Sequence, residues 1–322
     1  MLNRRDTLAL FAAGAALTIA GRPAFAEDDA KTFRIGYQKG GVFALAKSAG
    51  AIEKRLQPRG ITVQWNEFTS GPPLLEALGA GALDFGSTGD VPPLFAQAAG
   101  GDLLYVAASK GAIDGSAILV KKDSPIQTLA DLKGKNVAFK RGSSAHNFTV
   151  KALEKGGLTI NDINPFDLAP PDAAAAFAGG QIDAWAIWDP YYAVQAQDPN
   201  TRVLATTEGI VDSFSYYLAN GSFTKANPHV IAEALDELKK TGSAAQAHLD
   251  DTAAAISAVT GVPVPVEKIV LNRKGSDLGS IIPLDDKVLA YQQGLADSFF
   301  KLKIVPKQLD IKPAFWVAPS DL

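Results

Sequence analysis

The stretch TFRIGY (residues 32–37), followed by QKGG (residues 38–41) and by a helical pattern from Phe43 to Leu56, decides the fold of this 322-residue chain. Aromatic and β-branched residues are frequent in the first segment, which is typical of a strand, whereas apolar residues recur with a period near 3.6 in the last. The glycines between them allow a tight turn. The chain therefore begins its globular part with a strand–turn–helix unit.

The same unit recurs along the chain. Further strands are predicted at Ile61–Phe68, Leu83–Gly86, Leu103–Ala108, Ala117–Lys121, Asn136–Phe139, Asp183–Ile187, Val203–Ala205 and Ser215–Asn220. Further helices are predicted at Pro92–Ala99, Ala145–Lys155, Pro228–Leu249 and Asp286–Lys301. This alternation is typical of α/β proteins, in which parallel sheets carry helices on both faces.

Two polar segments, Lys110–Gly115 and Glu208–Ser213, interrupt the alternation. A single hydrophobic core rarely serves a chain of this length, so two folding units are expected. Two crossings between them make the first lobe discontinuous. The sequence predicts lobe 1 at residues 27–113 plus 214–322 and lobe 2 at residues 114–213.

The N-terminal segment, residues 1–26, has the features of a signal peptide. Arg4 and Arg5 precede an apolar stretch from Leu8 to Ala20, and Ala24-Phe25-Ala26 is an A-x-A cleavage site. The apolar stretch is shorter than the roughly 20 residues that span a bilayer. We expect export to the periplasm with cleavage after Ala26, by either the general secretory or the twin-arginine route.

Composition excludes several classes of function. The chain has 47% hydrophobic and 20% charged residues, a formal net charge of −3 and no cysteine. A mildly acidic chain without a basic run is a poor candidate for binding nucleic acid. The lack of cysteine excludes disulfides, catalytic thiols and thiolate metal sites, and the three histidines show no metal-ligand spacing. No Gly-x-Ser-x-Gly motif occurs, so we expect neither an enzyme nor a cofactor.

Three turns, at residues 37–41, 86–90 and 140–147, combine glycine with hydroxyl, amide or basic side chains just before a predicted helix. Ligands of α/β sheets bind beyond the carboxyl ends of the strands, and helix N-termini favour anions. The candidate ligand-binding residues in these turns are Gln38, Ser87, Thr88, Gly89, Ser143, Ser144 and His146. Each of the serines and threonines could instead be an ordinary helix cap.

Acidic and aromatic residues near two helix starts complete the candidate site. Asp90 and Asp189 each precede a proline, an arrangement typical of a helix N-cap, although Asp189 is equally a candidate ligand-binding residue. Strand alternation predicts that Trp185 lies in the core. Trp188 and Tyr191 are placed to form the wall of a cleft.

At these turns the chain resembles the aliphatic sulfonate-binding proteins of bacterial ABC importers, which are relatives of the taurine- and nitrate-binding proteins. The blocks that carry the resemblance are Arg34–Gly40, Gly86–Gly100, Asp131–Phe139, Gly142–Asn147 and Asp183–Tyr192. The resemblance implies the type II periplasmic binding protein fold, with two doubly wound α/β lobes joined by two crossings. It also implies an importer's permease and ATPase as partners. We expect the protein itself to be a monomer.

By the same resemblance, Gln38, the Ser87-Thr88 pair, Ser143-Ser144 and His146 hold the sulfonate, and the region of Trp188 shapes the space for its organic tail. One departure lies at Phe214–Leu218, which is about a residue longer than the family pattern. The specificity for the tail therefore stays open.

Two alternatives remain at this stage. A binding protein for taurine, nitrate or sulfate is the nearer one, and taurine would need a carboxylate for its ammonium group, for which Asp189, Glu67 and Asp212 are candidates. A thiamine-pyrimidine synthase built on the same fold is more remote, because such enzymes use a cysteine-rich segment and this chain has no cysteine.

Overall fold

The structure, a computed structural model, describes residues 30–212 and 214–319. The predicted signal peptide and its cleavage site lie outside these residues. The strands are β1 (Thr32–Tyr37), β2 (Thr62–Glu67), β3 (Phe85–Gly89), β4 (Leu103–Lys110), β5 (Ser116–Lys121), β6 (Asn136–Phe139), β7 (Asn164–Asp167), β8 (Ala184–Trp188), β9 (Thr201–Thr206) and β10 (Phe214–Asn220).

Twelve α-helices are found within the described residues. They are α1 (Gly41–Ala49), α2 (Ala51–Leu56), α3 (Gly71–Gly79), α4 (Pro92–Ala98), α5 (Ser144–Lys155), α6 (Pro170–Ala178), α7 (Tyr191–Gln195), α8 (Gly221–Ala226), α9 (Pro228–Ala245), α10 (Leu249–Thr260), α11 (Val264–Leu271) and α12 (Asp286–Lys301).

Two helices are shorter in the structure than the sequence predicts. The helix expected from Phe43 to Leu56 is divided at Gly50, whose φ of 59° is left-handed. A left-handed residue ends a helix, and glycine adopts that conformation without a steric penalty. The helix expected from Pro228 to Leu249 ends earlier, at Ala245.

The strands form two five-stranded sheets, in the orders β2-β1-β3-β10-β4 and β7-β6-β8-β5-β9. The expected parallel pairing is present between β1 and its neighbours β2 and β3, and between β6 and its neighbours β7 and β8. The sheets are nevertheless mixed, because β10 runs antiparallel to β3 and β4, and β5 runs antiparallel to β8 and β9. Each of these two strands follows a crossing from the other sheet. After each crossing the chain enters the sheet from the side where the carboxyl ends of β3 and β8 lie. The entering strand therefore runs in the direction opposite to β3 or β8.

Strand β7, with the sequence Asn-Pro-Phe-Asp, was not predicted. All four of its residues are exposed, so it lacks the apolar alternation that marks a half-buried strand. Its backbone pairs with β6 at the edge of the second sheet, and this pairing holds the segment as a strand although its own sequence does not predict one.

Both faces of each sheet are buried, as the side-chain alternation along β10 and β5 makes plain. In β10, Tyr216 and Leu218 pack on one face of the sheet and Tyr217 and Ala219 on the other. In β5, Ile118 and Val120 alternate in the same way with Ala117 and Leu119. Helices therefore cover both faces of each sheet, which is the doubly wound arrangement expected from the sequence.

The chain passes between the two sheets at residues 111–115 and again after β9, from residue 207. Both passages coincide with the predicted crossings. We propose that the lobes divide after residue 113 and before residue 214, as the sequence suggests. Across residues 30–212 and 214–319, no helix combines the length and the apolar character needed to cross a membrane.

Candidate ligand-binding site

A cavity of about 340 Å³ lies where the carboxyl ends of β1, β3 and β8 meet the start of α5. This is the edge at which α/β sheets bind ligands. The sequence-predicted residues that line the cavity are Gln38, Ser87, Thr88, Gly89, Ser143, Ser144, Trp188 and Asp189. The structure thus gathers residues from both lobes around one space.

On the side of the first sheet, Ser87, Thr88 and Gly89 lie inside β3 and not in the turn after it, where the sequence placed them. The strand extends beyond Gly86 because the returning β10 supplies ladder partners, Tyr217 opposite Ser87 and Tyr216 opposite Thr88. The amide of Gln38 donates to the carbonyl of Ser87 at 3.3 Å. This bond ties the turn after β1 to β3 at the cavity edge.

On the side of the second sheet, α5 begins at the cavity with Ser144, and Ser143 is its N-cap residue. The hydroxyl of Ser143 donates to the carbonyl of Lys140 at 2.7 Å and does not cap the helix. The first N–H groups of a helix have no intrahelical partner and carry a partial positive charge. The start of this twelve-residue helix therefore favours an anion in the cavity.

The two lobes approach each other closely at Gly89 and Ser144. A Cβ atom added to Gly89 would lie 2.9 Å from Cβ and 3.0 Å from Oγ of Ser144. These separations are shorter than non-bonded carbon and oxygen atoms tolerate. Only glycine at position 89 permits this distance between β3 and α5.

Trp188 and Trp185 have the positions that alternation predicts. Trp185 is 2% exposed, which confirms the prediction that it belongs to the core. Trp188, at the end of β8, lines the cavity, and its ring meets that of Tyr191 edge-on with a centroid separation of 6.3 Å. Trp188 therefore offers an aromatic wall to a ligand.

His146 is not among the residues that line the cavity. Its ring is buried and stacks on Phe139 at a centroid distance of 4.9 Å, and its Nδ1 accepts a hydrogen bond from the backbone of Gly142. Burial, reinforced by the charge of Arg141, lowers the pKa of His146 to about 4. The side chain is therefore placed away from the cavity in which the sequence predicts an anion, and its ring supports the turn that precedes α5.

The low pKa of His146 predicts a pH-dependent stability. The unfolded chain takes up a proton near pH 6.5, whereas the folded chain resists protonation down to about pH 4, so this contribution to stability is lost as the pH falls below 6.5. Relative to the variant His146→Gln, the free energy of unfolding of the parent protein should fall by about 2 kcal/mol between pH 7 and pH 5. Urea unfolding at several pH values measures this difference, and parallel curves for the two proteins would contradict the assignment.

Asp90 is not the helix cap that its sequence context suggests. Helix α4 begins at Pro92 without a side-chain cap. The Asp90 carboxylate instead accepts hydrogen bonds from the hydroxyl of Tyr291 at 2.6 Å and from the amide of Asn147 at 3.2 Å. Burial raises the pKa of Asp90 to about 6. Because Asn147 lies in α5, this carboxylate joins the two lobes.

Asp189 forms a second link between the lobes, with Arg273, a residue that the sequence did not single out. The Nε atom of Arg273 lies 2.7 Å from Oδ2 of Asp189, and both side chains are about nine-tenths buried. Oδ1 accepts the backbone N–H of Ala193 at 3.0 Å, so the carboxylate binds the first turn of α7, but the N-cap residue of this helix is Pro190 and not Asp189. Burial raises the pKa of Asp189, and Arg273 opposes this effect.

Nothing near Arg273 in the sequence marks it as part of the site, because its partner lies 84 positions earlier. Its guanidinium also lies 4.1 Å from the ring centroid of Tyr192 and 3.7 Å from a carboxylate oxygen of Asp114. Among residues 30–212 and 214–319, no group of three or more His, Cys, Asp or Glu residues could hold a metal ion.

Comparisons with known proteins agree with this geometry. Residues 45–262 match the family model described as the periplasmic substrate-binding protein of a phosphonate ABC transporter. A protein of Escherichia coli (strain K12), named for aliphatic sulfonate binding, is 41% identical over 292 residues, which is 90% of each chain.

Two solved structures are similar as well. The alkanesulfonate-binding protein SsuA of Xanthomonas axonopodis pv. citri, bound to MOPS, has a TM-score of 0.84 and 39% identity, and the match covers 89% of this chain and 98% of that one. The periplasmic aliphatic sulphonate binding protein SsuA of Escherichia coli has a TM-score of 0.79 and 40% identity, with 90% and 93% covered.

Two doubly wound lobes, two crossings and a cavity between them define a solute-binding protein of the type II periplasmic fold, as the sequence predicted. More closely, the chain belongs to the family of aliphatic sulfonate-binding proteins of ABC importers. Membership implies a small-molecule ligand and a permease with its ATPase as partners.

Proposed function

We propose that this chain captures aliphatic sulfonates between its two lobes and delivers them to the permease of an ABC importer for sulfur acquisition. The observation that carries the proposal is the cavity at the start of α5, to which both lobes contribute hydroxyl and amide donors. A sulfonate is ionised at every physiological pH and offers three oxygens, so fixed donors suit it. The names of the relatives support this choice of ligand.

In this proposal the anionic head is held by Gln38, Ser87, Thr88, Gly89 and Ser144, and Ser143 contributes by holding the turn before α5, because its hydroxyl donates to the carbonyl of Lys140. Trp188 covers the organic tail, and Asp189 acts through its pair with Arg273. His146 contributes indirectly, because its ring lies behind the turn and its Nδ1 holds the backbone of Gly142. Helix N-termini contribute roughly 0.3–1 kcal/mol and charge-assisted hydrogen bonds roughly 1.5–3 kcal/mol each, so several together suffice for micromolar binding.

The proposal includes an exported, monomeric protein without catalytic activity, cleaved after Ala26. Relatives that are themselves periplasmic binding proteins support this reading. The alternatives are binding proteins for taurine, nitrate or another small anion, because these proteins are relatives of the sulfonate-binding proteins that the sequence resembles. An enzyme related to thiamine-pyrimidine synthases is the more remote alternative.

Thermal unfolding of the purified protein with added ligands tests the function. Butane-1-sulfonate at about 100 times its dissociation constant should stabilise the folded state by about 2.7 kcal/mol and raise the unfolding temperature. Butan-1-ol, which has the same tail without the anionic head, should have no effect. A rise with nitrate or sulfate and none with any sulfonate would overturn the proposal.

A further inference from the structure

Asp90 lies in a hydrogen-bond cluster that connects both lobes with the second crossing. Its Oδ2 atom lies 2.6 Å from the hydroxyl oxygen of Tyr291 in α12 and 3.2 Å from the amide nitrogen of Asn147 in α5. The same oxygen of Tyr291 lies 2.8 Å from the backbone carbonyl oxygen of Asp212, in the second crossing. Asp90 and Asn147 are both buried. One cluster therefore links lobe 1, lobe 2 and the crossing.

The contacts of Tyr291 lack one hydrogen atom when Asp90 is ionised. A tyrosine hydroxyl carries a single hydrogen, whereas a carboxylate oxygen and a carbonyl oxygen can only accept. The hydroxyl can then donate either to Asp90 or to Asp212, and the other pair of oxygen atoms stays in contact without a hydrogen between them. A proton on Asp90 completes the chain, because the carboxyl group donates to Tyr291 and Tyr291 donates to the carbonyl of Asp212.

Other atoms of the cluster show the same shortage of donors. Oδ1 of Asp90, Oδ1 of Asn147 and Oε1 of Gln292 are buried, and the described part of the chain provides no hydrogen-bond partner for them. Gln292 belongs to the cluster because its amide donates to the backbone carbonyl of Asp90 at 2.7 Å. A buried group of acceptors that outnumber their donors favours a protonated carboxyl over an ionised one.

The titratable side chains that interact with Asp90 are tyrosines. They are Tyr105 of β4, Tyr216 of β10 and Tyr291 of α12, and burial raises the pKa of each hydroxyl far above its ordinary value, so all three stay neutral. The group that faces Asp90 from α5 is an uncharged amide, and the carboxylate of Asp212 is exposed. Burial raises the pKa of Asp90 itself to about 6, although the hydrogen bonds that it accepts oppose this effect.

The protonation state of Asp90 affects the ligand because Asp90 and Asn147 both line the cavity. Asn147 lies in the first turn of α5, whose start favours an anion. An anion in the cavity repels an ionised carboxylate and favours the protonated form. Separation of the lobes would admit water to Asp90 and return its pKa toward the ordinary value. Ligand binding, approach of the lobes and proton uptake therefore favour one another.

We propose that Asp90 is a positioning residue that takes up a proton when the lobes close on a sulfonate, so that the proton and the ligand bind cooperatively. This inference rests on the proposed function and adds a pH dependence to it. The protonated carboxyl completes the hydrogen bonds to Tyr291 and keeps Asn147, with the start of α5, against lobe 1. Because the pKa is raised in the closed protein, this contribution is lost as the pH rises through about 6.

Calorimetric titration of the parent protein with butane-1-sulfonate, which stays ionised throughout, tests the inference. The dissociation constant should be roughly three- to tenfold lower at pH 5 than at pH 7. At pH 6, titrations in succinate and in bis-Tris, which differ in ionisation enthalpy and are not sulfonates, should show an uptake of about half a proton. Equal affinity at both pH values without proton uptake overturns the inference alone. If the sulfonate binds at neither pH, the proposed function fails as well.

The variant Asp90→Asn separates the positioning role from a merely structural one. Asparagine is uncharged and its amide can donate to Tyr291, so it imitates the protonated carboxyl at every pH. The variant should bind butane-1-sulfonate at pH 7 at least as tightly as the parent protein does, with no further change at pH 5. Weaker binding at both pH values would mean that Asp90 acts only as an acceptor, and a retained pH dependence would equally refute the proposal.

Two further variants are controls for the identity of the titrating carboxylate. Asp212→Asn makes the same substitution at an exposed side chain that does not line the cavity, although its backbone belongs to the cluster. Glu267→Gln removes a buried carboxylate of the cavity wall, in α11, whose pKa burial raises to about 7. Both variants should keep the pH dependence of binding. If either variant loses it, the proton is not taken up by Asp90 and the inference is wrong.

Discussion

The variant Arg273→Ala should lower the free energy of unfolding by about 3–5 kcal/mol. Arg273 and Asp189 are about nine-tenths buried, and their charged atoms lie 2.7 Å apart. Removal of the guanidinium leaves the carboxylate of Asp189 buried without its cation, and an unpaired buried charge is strongly destabilising. Because the pair joins the two lobes beside the cavity, the variant should also bind sulfonates more weakly. Urea unfolding and calorimetric titration measure the two effects.

The neighbouring residue supplies the control. Lys274 forms an ion pair with Glu208, but both side chains are at least half exposed, so water screens the interaction. Lys274→Ala should therefore change stability far less than Arg273→Ala. The double variant Arg273→Ala/Asp189→Asn should recover part of the loss, because its buried carboxylate is no longer charged. Equal losses in the Arg273 and Lys274 variants would contradict the role assigned to the buried pair.

The variant Gly89→Ala should weaken sulfonate binding by roughly 5- to 150-fold, which corresponds to an overpacking penalty of about 1–3 kcal/mol. The added Cβ would lie 2.9 Å from Cβ of Ser144, so β3 and α5 could no longer approach as closely as they do. The penalty falls on the contact between the lobes and not on the core of either one. Calorimetric titration with butane-1-sulfonate measures the loss.

Gly294→Ala is the matched control for this substitution. Gly294 is an exposed residue inside α12, and a Cβ placed there has nothing within 4 Å. Alanine at this position should raise the free energy of unfolding by about 0.5–1 kcal/mol, because glycine is unfavourable inside a helix. Sulfonate affinity should not change. Parent-like binding by Gly89→Ala would show that the close contact with Ser144 is dispensable.

Local sequence patterns predicted the fold well wherever a segment carries its own signal. Strand β1 has the predicted bounds Thr32–Tyr37, and α12 has the predicted bounds Asp286–Lys301, because each has a clear period and a defined start. Strand β7 was missed because its residues are all exposed. The antiparallel direction of β10 was missed because alternation along a strand contains no information about its neighbours.

The candidate site shows the same division. The turns after β1 and before α5 were recognised because glycine, hydroxyl and amide residues precede a helix, and this combination is a local signal. The anion-facing role expected for the His146 side chain does not match its position, since only the packing of Phe139 and the turn at Gly142 decides where the ring points. Asp90 was interpreted as a helix cap from the proline that follows it. Its actual partner, Tyr291, could not be recognised because it lies 201 positions away in the sequence.

By itself the sequence determined the α/β alternation, the two crossings and the turns that supply donors to an anion, because backbone propensity and hydrophobic period act over a few residues. Only the tertiary structure decided which charges surround the cavity. The link from Asp189 to Arg273 and the buried, unpartnered oxygen of Glu267 depend on how α11 packs beside the second lobe. Electrostatic and hydrogen-bond interactions depend on distance in space, and separation along the chain does not predict that distance.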